Sequence, residues 1–224
     1  MNDSFEFGKY KKFKINERGK EREVVNIAFS ERVIQQCFCE NILNPIIIPR
    51  MIYDSGSCLK GKGISFTRRR IKYHLSNYFK KFGNDGYILL LDFKKYFNNI
   101  DHKILKNKLF KYIKDEKSRK LLSDILAPEG DKGLCLGSQV SQILALFFAS
   151  ILDHYIKDKL RVKYYGRYMD DSYIISNSKK YLRNILNKII IFCDKELKLK
   201  LNNKKTRIQK INNFKFIKCH YTLK

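Results

Sequence analysis

KYYGRYMDDSYIIS, residues 163–176, sets two adjacent aspartates, Asp170 and Asp171, between runs rich in aromatic and β-branched residues. Flanks of that composition read as strands, and the stretch reads as a hairpin with two acids at its corner. Aspartate is a usual turn residue. A tight two-residue hairpin turn, however, favours Asp-Gly or Asn-Gly, and no glycine comes next here. Turn geometry therefore accounts poorly for two like charges side by side, and a pair of metal ligands is the competing explanation. A third acid stands upstream. YILLLD, residues 87–92, is a short apolar run ending in Asp92, the pattern of a buried strand that delivers a carboxylate at its end. If the two strands are neighbours in one sheet, Asp92 and Asp170 meet at one edge. Such a group suits a hard divalent ion like Mg²⁺, which takes one or two carboxylates plus water and substrate phosphate. Two such ions about 3.5–4 Å apart clamp the attacking and leaving oxygens of an in-line phosphoryl displacement.

Composition points to a polyanionic partner. The 224 residues carry a formal net charge of +25, with 47 Lys and Arg spread along the chain rather than confined to a tail. From Lys195 onward ten basic residues face one acid, Glu196. Nucleic acid is the first candidate and an anionic membrane the second, although abundant Asn, Ile and Lys also fit an A/T-rich source. Hydrophobic content of 44%, with 16 Phe and 14 Tyr, supports a sizeable core, and only 3 Pro and 11 Gly argue against a long disordered linker. The six cysteines (37, 39, 58, 135, 193 and 219) contain no C-x-x-C pair and are expected to be buried reduced thiols of a cytoplasmic protein. The N-terminus lacks an apolar signal region. The most apolar stretch, Val140 to Ile156, is expected to be too short and too polar to span a bilayer.

Along the chain, residues 12–29 read as two strands about a turn at Glu17–Gly19. Ser30 is the expected cap of a helix whose inward stripe is Val33, Ile34, Cys37, Phe38, Asn41 and Ile42, stopped by Asn44-Pro45. A glycine-bearing loop precedes a helix with Ile71, His74, Leu75, Tyr78 and Phe79 on one face. Asp101 caps the next helix, with Leu105, Leu109, Tyr112 and Ile113 inward. VSQILALFFASILDHYI is apolar nearly all round and is expected to be a central buried helix. From Tyr87 onward the predicted order is β-α-α-β-β-α-β. The fold class is therefore α+β: an antiparallel sheet with helices on one face, of the ferredoxin-like kind.

Four segments carry a family resemblance. LDFKKYFNNIDH (91–102), GLCLGSQVSQ (133–142), YMDD (168–171) and LKLNNKKTRI (199–208) stand in the order and at roughly the spacing of reverse transcriptase palm motifs, which the chain resembles. EREVVNIAFSERVIQQ (21–36) resembles the fingers segment of bacterial members, so the resemblance runs from about residue 13 to the end. Leu136-Gly137-Ser138-Gln139-Val140-Ser141-Gln142 is most similar to bacterial and prophage enzymes of the diversity-generating retroelement kind, where retroviral and group II intron enzymes have Gln-Gly and Ser-Pro. A plain helix N-terminus capped by Ser138 or Ser141 would give the same stretch.

The resemblance implies a right-hand polymerase, with fingers in residues 1–86 (and part of the palm) and a palm in 87–224 that ends in primer-grip-like strands. It implies RNA-directed DNA polymerase chemistry: a primer 3′-hydroxyl attacks the α-phosphate of a dNTP with two Mg²⁺ ions, or Mn²⁺, as cofactors. Asp92, Asp170 and Asp171 with the carbonyl of Phe93 would be the metal ligands. Phe97, or Tyr96 in another register, would be the aromatic gate beneath the sugar. Arg22 would grip the triphosphate with a companion among Lys14, Arg18 and Lys20. Gly137 and Gln139 would meet the nucleotide, and Lys205 would protonate the pyrophosphate leaving group, unless it is a solvated surface lysine.

The implied partners are an RNA template and an RNA–DNA or DNA primer duplex, with no membrane. The implied home is the cytoplasm of a bacterium, or of one bearing a phage or retroelement. Departures exist as well. Cys135 replaces a common proline, and Phe216-Ile217-Lys218 replaces Phe-Leu-Gly. The chain ends at Lys224, where the family's thumb begins, which implies a thumb absent or truncated, low processivity, or a structured noncoding RNA or accessory protein that supplies the clamp. Two alternatives accompany this assignment: a phage-defence (antiviral) polymerase making untemplated DNA, and a non-catalytic basic RNA-binding remnant. GSCLKGKG (56–63) nearly fits a P-loop, but Gly63 stands where the Mg²⁺-binding hydroxyl belongs. It reads better as a fingers loop whose Lys60 and Lys62 touch template phosphates. The histidines show no metal spacing.

Overall fold

Alternation of charged and apolar residues opens the chain as a hairpin, and helices dominate the region between that hairpin and the Y-M-D-D corner. The computed structural model describes residues 8, 11–17 and 19–223, apart from the side chains of Glu17 and Lys20. In chain order, β1 (Lys11–Glu17), β2 (Lys20–Asn26), α1 (Phe29–Phe38), α2 (Asn44–Ile47) and α3 (Ile64–Phe82) lead to β3 (Tyr87–Leu91). Next come three helices, α4 (His102–Leu109), α5 (Glu116–Leu126) and α6 (Gln139–His154). The remainder is β4 (Tyr165–Tyr168), β5 (Asp171–Ser176), α7 (Lys179–Phe192), β6 (Arg207–Lys210), β7 (Asn213–Phe216) and β8 (Cys219–Thr222). The chain divides into two compact units, Met1–Arg50 with Phe97–Phe147, and Met51–Tyr96 with Phe148–Lys224.

In the first unit, β1 and β2 pair antiparallel with Ile15 opposite Arg22. Three expectations for the next helix fail. It starts at Phe29, so Ser30 lies inside it and caps nothing. Its inward residues are Glu31, Gln35 and Phe38, while Val33 is 53% exposed and Cys37 is exposed. The reason is polar satisfaction: Glu31 Oε1 accepts from the Gly8 N–H at 2.7 Å and Gln35 Oε1 from the Ser138 hydroxyl at 2.7 Å. Two hydrogen-bonded polar side chains can take the inner face, so apolar periodicity alone misplaces it. Nor does Asn44-Pro45 stop the helical path. A π turn (Cys39–Leu43) leads into α2, and Pro45 falls in the first turn, where its missing N–H costs least.

Asp101 caps α4 as expected, accepting from the Ile104 N–H at 2.9 Å, but Tyr112 is 43% exposed beneath the Arg50 guanidinium. α5 is an extra helix in the predicted order, capped by Asp115 from the Ser118 N–H at 2.7 Å. Asp115 and the Leu122/Ile125/Leu126 stripe are its signals.

In the second unit a four-stranded sheet runs β4-β5-β3-β6, every neighbour antiparallel. Ile88 and Leu90 of β3 and Tyr173 and Ile175 of β5 pack with Ile71, Leu75 and Tyr78 of α3 and with Phe214, Phe216 and Tyr221 of the β7–β8 hairpin. The alternate residues Leu89, Leu91, Tyr165 and Ile174 are buried too. Burial on both faces explains why β3 is a continuous apolar run. α7 packs on β3, β5 and β6 through a buried stripe of Leu182, Ile185 and Ile189.

The central apolar helix, continued by a π turn, spans 21 residues, Gln139–Lys159. That is long and apolar enough to cross a membrane, contrary to the expectation from its length, but 72% of its apolar window is buried inside the protein. It is core because the protein surrounds it. Among the cysteines, Cys39, Cys135 and Cys193 are buried, Cys219 is intermediate, and Cys37 and Cys58 are exposed, so full burial holds for half of them.

The loop before α3 turns tightly against that helix. A Cβ on Gly56 would overlap the Thr67 hydroxyl and lie 3.1 Å from Thr67 Cβ. Gly56→Ala should destabilise the fold by about 2 kcal/mol, seen as a lower urea midpoint, and Thr67→Ala in that background should recover part of the loss.

His74 of α3 is buried, its Nδ1 3.0 Å from the Tyr173 hydroxyl and its Nε2 3.5 Å from Asp54 Oδ2. Burial lowers its pKa to about 4; Asp54 opposes the shift, while Arg70 and Lys157 add to it. The neutral ring is the folded form. Its stability is fully present above pH 6.5 and is lost as pH falls through about 4. The melting temperature should therefore fall over that window, and His74→Gln should flatten the fall.

Candidate active site

The register of two strands builds the site. β3 and β5 pair with Leu91 opposite Ser172, so Asp92, one residue past β3, comes beside Asp171, the first residue of β5. Tyr168 pairs with Asp171, which leaves Met169 and Asp170 as the turn. The structure thus brings Asp92, Asp170 and Asp171 to one end of the sheet. Asp92 is 3% exposed. Burial first, then the charges of Asp170 and Asp92, push the Asp171 carboxyl up to about 7, and a hydrogen bond to Asp92 adds to the effect. Acids close enough to raise one another in this way make a site short of positive charge.

A second segment wraps Asp92. The Asn202 side chain donates to Asp92 Oδ1 at 3.1 Å and its backbone N–H to the Asp92 carbonyl at 2.8 Å. The Thr206 hydroxyl lies 3.4 Å from that carbonyl. Phe93 bridges to Leu201, and the Lys94 N–H donates to the Lys200 carbonyl at 2.9 Å. Lys205 pairs with Asp92 Oδ2, and this hydrogen bond, ahead of the opposing effect of burial, raises the lysine's pKa. It is half exposed, but a carboxylate of the acidic end holds it. Sequence alone left that open. Among the described residues, no three His, Cys, Asp or Glu side chains stand arranged to hold a metal ion: both Asp92 oxygens face Asn202 and Lys205. The donor set still fits an ion of the Mg²⁺ kind, which needs one or two carboxylates and completes its shell with water and phosphate rather than a closed protein cage.

The other predicted residues are spread over both units. Tyr96 is 3% exposed and stacks on Phe93 at 5.2 Å, which leaves it no open face for a sugar, while Phe97 is half-buried in a short 3-10 turn. Arg22 is exposed on β2. Of its companions, Lys14 is paired with Glu21 at 2.6 Å, and Arg18 and the Lys20 side chain lie outside the described residues. Gly137 has φ +111, and a Cβ there would lie 3.1 Å from the Val25 carbonyl oxygen, so the backbone it admits is that of β2. The Val25 N–H donates to the Leu136 carbonyl at 3.1 Å. Ser138 is the cap of α6, its hydroxyl accepting from the Ser141 N–H at 3.2 Å, and Gln139 is exposed at the first turn. Lys60 is exposed, but Lys62 is folded back on its own loop, donating to the Tyr53 carbonyl at 2.7 Å over the Tyr53 and Phe66 rings.

Sequence reasoning missed several neighbours of the hairpin. Arg167 and Asp153 are 1% and 0% exposed and form a bidentate pair. The lone acid in the otherwise apolar helix was the available signal for Asp153. Ser57 carries no such signal.

Comparison with known proteins bears on the whole chain. The family model described as reverse transcriptase (RNA-dependent DNA polymerase) matches residues 10–220. No curated protein gives a significant sequence match. Apo telomerase from Candida tropicalis superposes with a TM-score of 0.72 at 13% identity, over 100% of this chain and 48% of that one. Telomerase from Candida albicans in complex with a TWJ fragment of telomeric RNA gives 0.71 at 11% identity, over 95% and 43%. The chain thus spans about half the length of these telomerases, and at such identities the likeness is one of fold, the fingers and palm of a polymerase. By the family match over nearly its full length, the chain belongs to the reverse transcriptase family.

Proposed function

We propose that the chain is the fingers (1–86) and palm (87–224) of an RNA-directed DNA polymerase, adding dNTPs to a primer 3′-hydroxyl on an RNA template. The observation that carries this is the strand register that sets Asp92 beside Asp171 at the Y-M-D-D corner. Asp92, Asp170 and Asp171 with the Phe93 carbonyl would hold two Mg²⁺, or Mn²⁺. Bound there, the ions would neutralise charge on the phosphate being transferred.

The chain's own groups do the rest. Asn202 and Thr206 hold the Asp92 backbone and side chain in place. Lys205 would give a proton to the departing pyrophosphate, and its pairing with Asp92, which raises its pKa, favours the protonated form. Arg22, with Lys20, would grip the triphosphate. Phe97, Gly137 and Gln139 would border the nucleotide. The net charge of +25 would hold template and hybrid through their phosphates, with little sequence readout.

A bacterial or phage-encoded source in the cytoplasm, of the diversity-generating retroelement kind, rests on residues 136–142.

Asp170→Asn should reduce primer extension to below about one per cent of wild type while RNA affinity stays within about twofold. Equal extension by the variant would remove the metal assignment. Sequencing the product made on a defined RNA tests the template: a complementary copy is expected, and DNA unrelated to the RNA would instead indicate an untemplated polymerase.

A further inference from the structure

The corner residue Met169 has a backbone conformation that needs support. Its φ is +53, in the left-handed region that L side chains seldom adopt and where a two-residue hairpin turn favours glycine. Both of its backbone polar groups are held by side chains, one from a distant loop and one from two residues upstream on the same hairpin. Its N–H donates to Ser57 Oγ at 2.8 Å, and its carbonyl accepts from Arg167 Nη1 at 2.9 Å.

Each of these side chains is itself fixed. Ser57 is 1% exposed, at the end of a segment laid along the outer edge of β4. There the Arg167 N–H donates to the Asp54 carbonyl at 3.0 Å, the Gly56 N–H donates to the Arg167 carbonyl at 2.9 Å, and Ser55 bridges Arg167 in parallel. Asp54 is tied to Arg70 of α3 at 2.5 Å. The Arg167 guanidinium is locked by Asp153, with Nε 2.8 Å from Oδ1 and Nη2 2.6 Å from Oδ2, and the Tyr165 hydroxyl donates to Oδ1 at 2.5 Å. A planar guanidinium can serve a carboxylate with one edge and a carbonyl with another, which an ammonium cannot do in the same geometry.

We propose that Ser57 and the Arg167–Asp153 pair are positioning residues of the polymerase: a strap and a buried clamp that hold Met169 left-handed and so aim Asp170 and Asp171. None of the three touches substrate. Their effect passes through two main-chain hydrogen bonds to the residue before the acids. A site whose ligands sit on a turn is only as well defined as that turn, and a misplacement of about 1 Å can cost on the order of a hundredfold in rate. The proposal rests on the polymerase assignment above.

The test uses the full chain with an RNA template and annealed primer, and compares Ser57→Ala, Ser57→Thr, Arg167→Lys and Asp170→Asn. Mn²⁺ affinity is read by electron paramagnetic resonance, kcat and KM for dNTP by primer extension, and melting by circular dichroism. Ser57→Ala should lower kcat about tenfold with KM within about twofold. It should weaken Mn²⁺ binding several-fold and leave the melting temperature near that of wild type. Ser57→Thr, which keeps the acceptor oxygen, should recover both kcat and Mn²⁺ affinity. Arg167→Lys should show the same split, larger.

Wild-type kcat and Mn²⁺ affinity in Ser57→Ala would overturn the proposal, and so would a kcat loss that merely tracks a fallen melting temperature and vanishes when the assay is cooled. If Arg167→Lys does not fold, the two Ser57 variants decide alone. Failure of the underlying assignment looks different: Asp170→Asn would then bind Mn²⁺ and extend primers like wild type, whatever the Ser57 variants do.

Discussion

The pairing of β3 with β5 is the constraint on which the rest depends. With Leu91 opposite Ser172, the end of one strand and the tip of a hairpin present their acids at the same place. A slip of one residue would turn every buried side chain of β3 to the other face and carry Asp92 away. Both faces of β3 and β5 are dry, so the register is fixed by packing on two sides at once, by Ile88, Leu90, Tyr173 and Ile175 on one and by Leu89, Leu91 and Ile174 on the other. The fold therefore spends hydrophobic energy to hold an electrostatically unfavourable group together. Two unit charges 4 Å apart repel by roughly 4 kcal/mol at an effective dielectric of 20. The rise of the Asp171 pKa to about 7 comes first from burial and then from that repulsion.

The protein offsets this strain with cations of its own. Lys205 lies against Asp92, and Asn202 donates to the other oxygen. A little deeper, Arg167 and Asp153 form an ion pair with almost no solvent contact. A buried pair of this kind is weak evidence for stability, because desolvation takes back most of what attraction gives. Its value lies in direction. The guanidinium uses another of its donors on the Met169 carbonyl, so the pair fixes a turn that the sequence Met-Asp would not choose unaided. Apolar replacements of similar volume would keep the core full and leave that carbonyl without a partner.

Much of this is legible in the sequence, and the parts that are not share a cause. Strand β3 and the hairpin are readable because apolar runs and turn residues are local signals, and the Asp101 cap because it depends on residues three apart. The inward face of α1 is misread because Glu31 and Gln35 go inside on the strength of partners at Gly8 and Ser138, which no local pattern announces. Pro45 is misread as a stop because a π turn upstream shifts it into a first turn. At the site, the three aspartates stand out as acids in a basic chain. Lys205 is ambiguous, one lysine among many, until the 199–206 segment is seen wrapped around Asp92. Ser57 is invisible, since a serine in a glycine-rich loop is ordinary until its oxygen is found 2.8 Å from the Met169 N–H.

Charge acts on two scales in this molecule, and the two do not conflict. At long range a net charge of +25 attracts a polyanion, but salt screens that field within about 8–10 Å. At short range, inside a partly buried corner where screening is weak, three carboxylates set the local sign to negative. A nucleic acid drawn to the surface would meet repulsion at that corner unless positive charge came with it. Lys205 supplies one unit and is already engaged by Asp92. With all three acids ionised against one lysine the deficit would be about two charges, that of one divalent ion, and the Asp171 carboxyl, pushed up to about 7, holds on to a proton until such an ion arrives. Each further phosphate deepens the deficit, so nucleotide and cation should bind cooperatively. That demand for a cation alongside any phosphate arises from the acids, the lysine and the strand register alone.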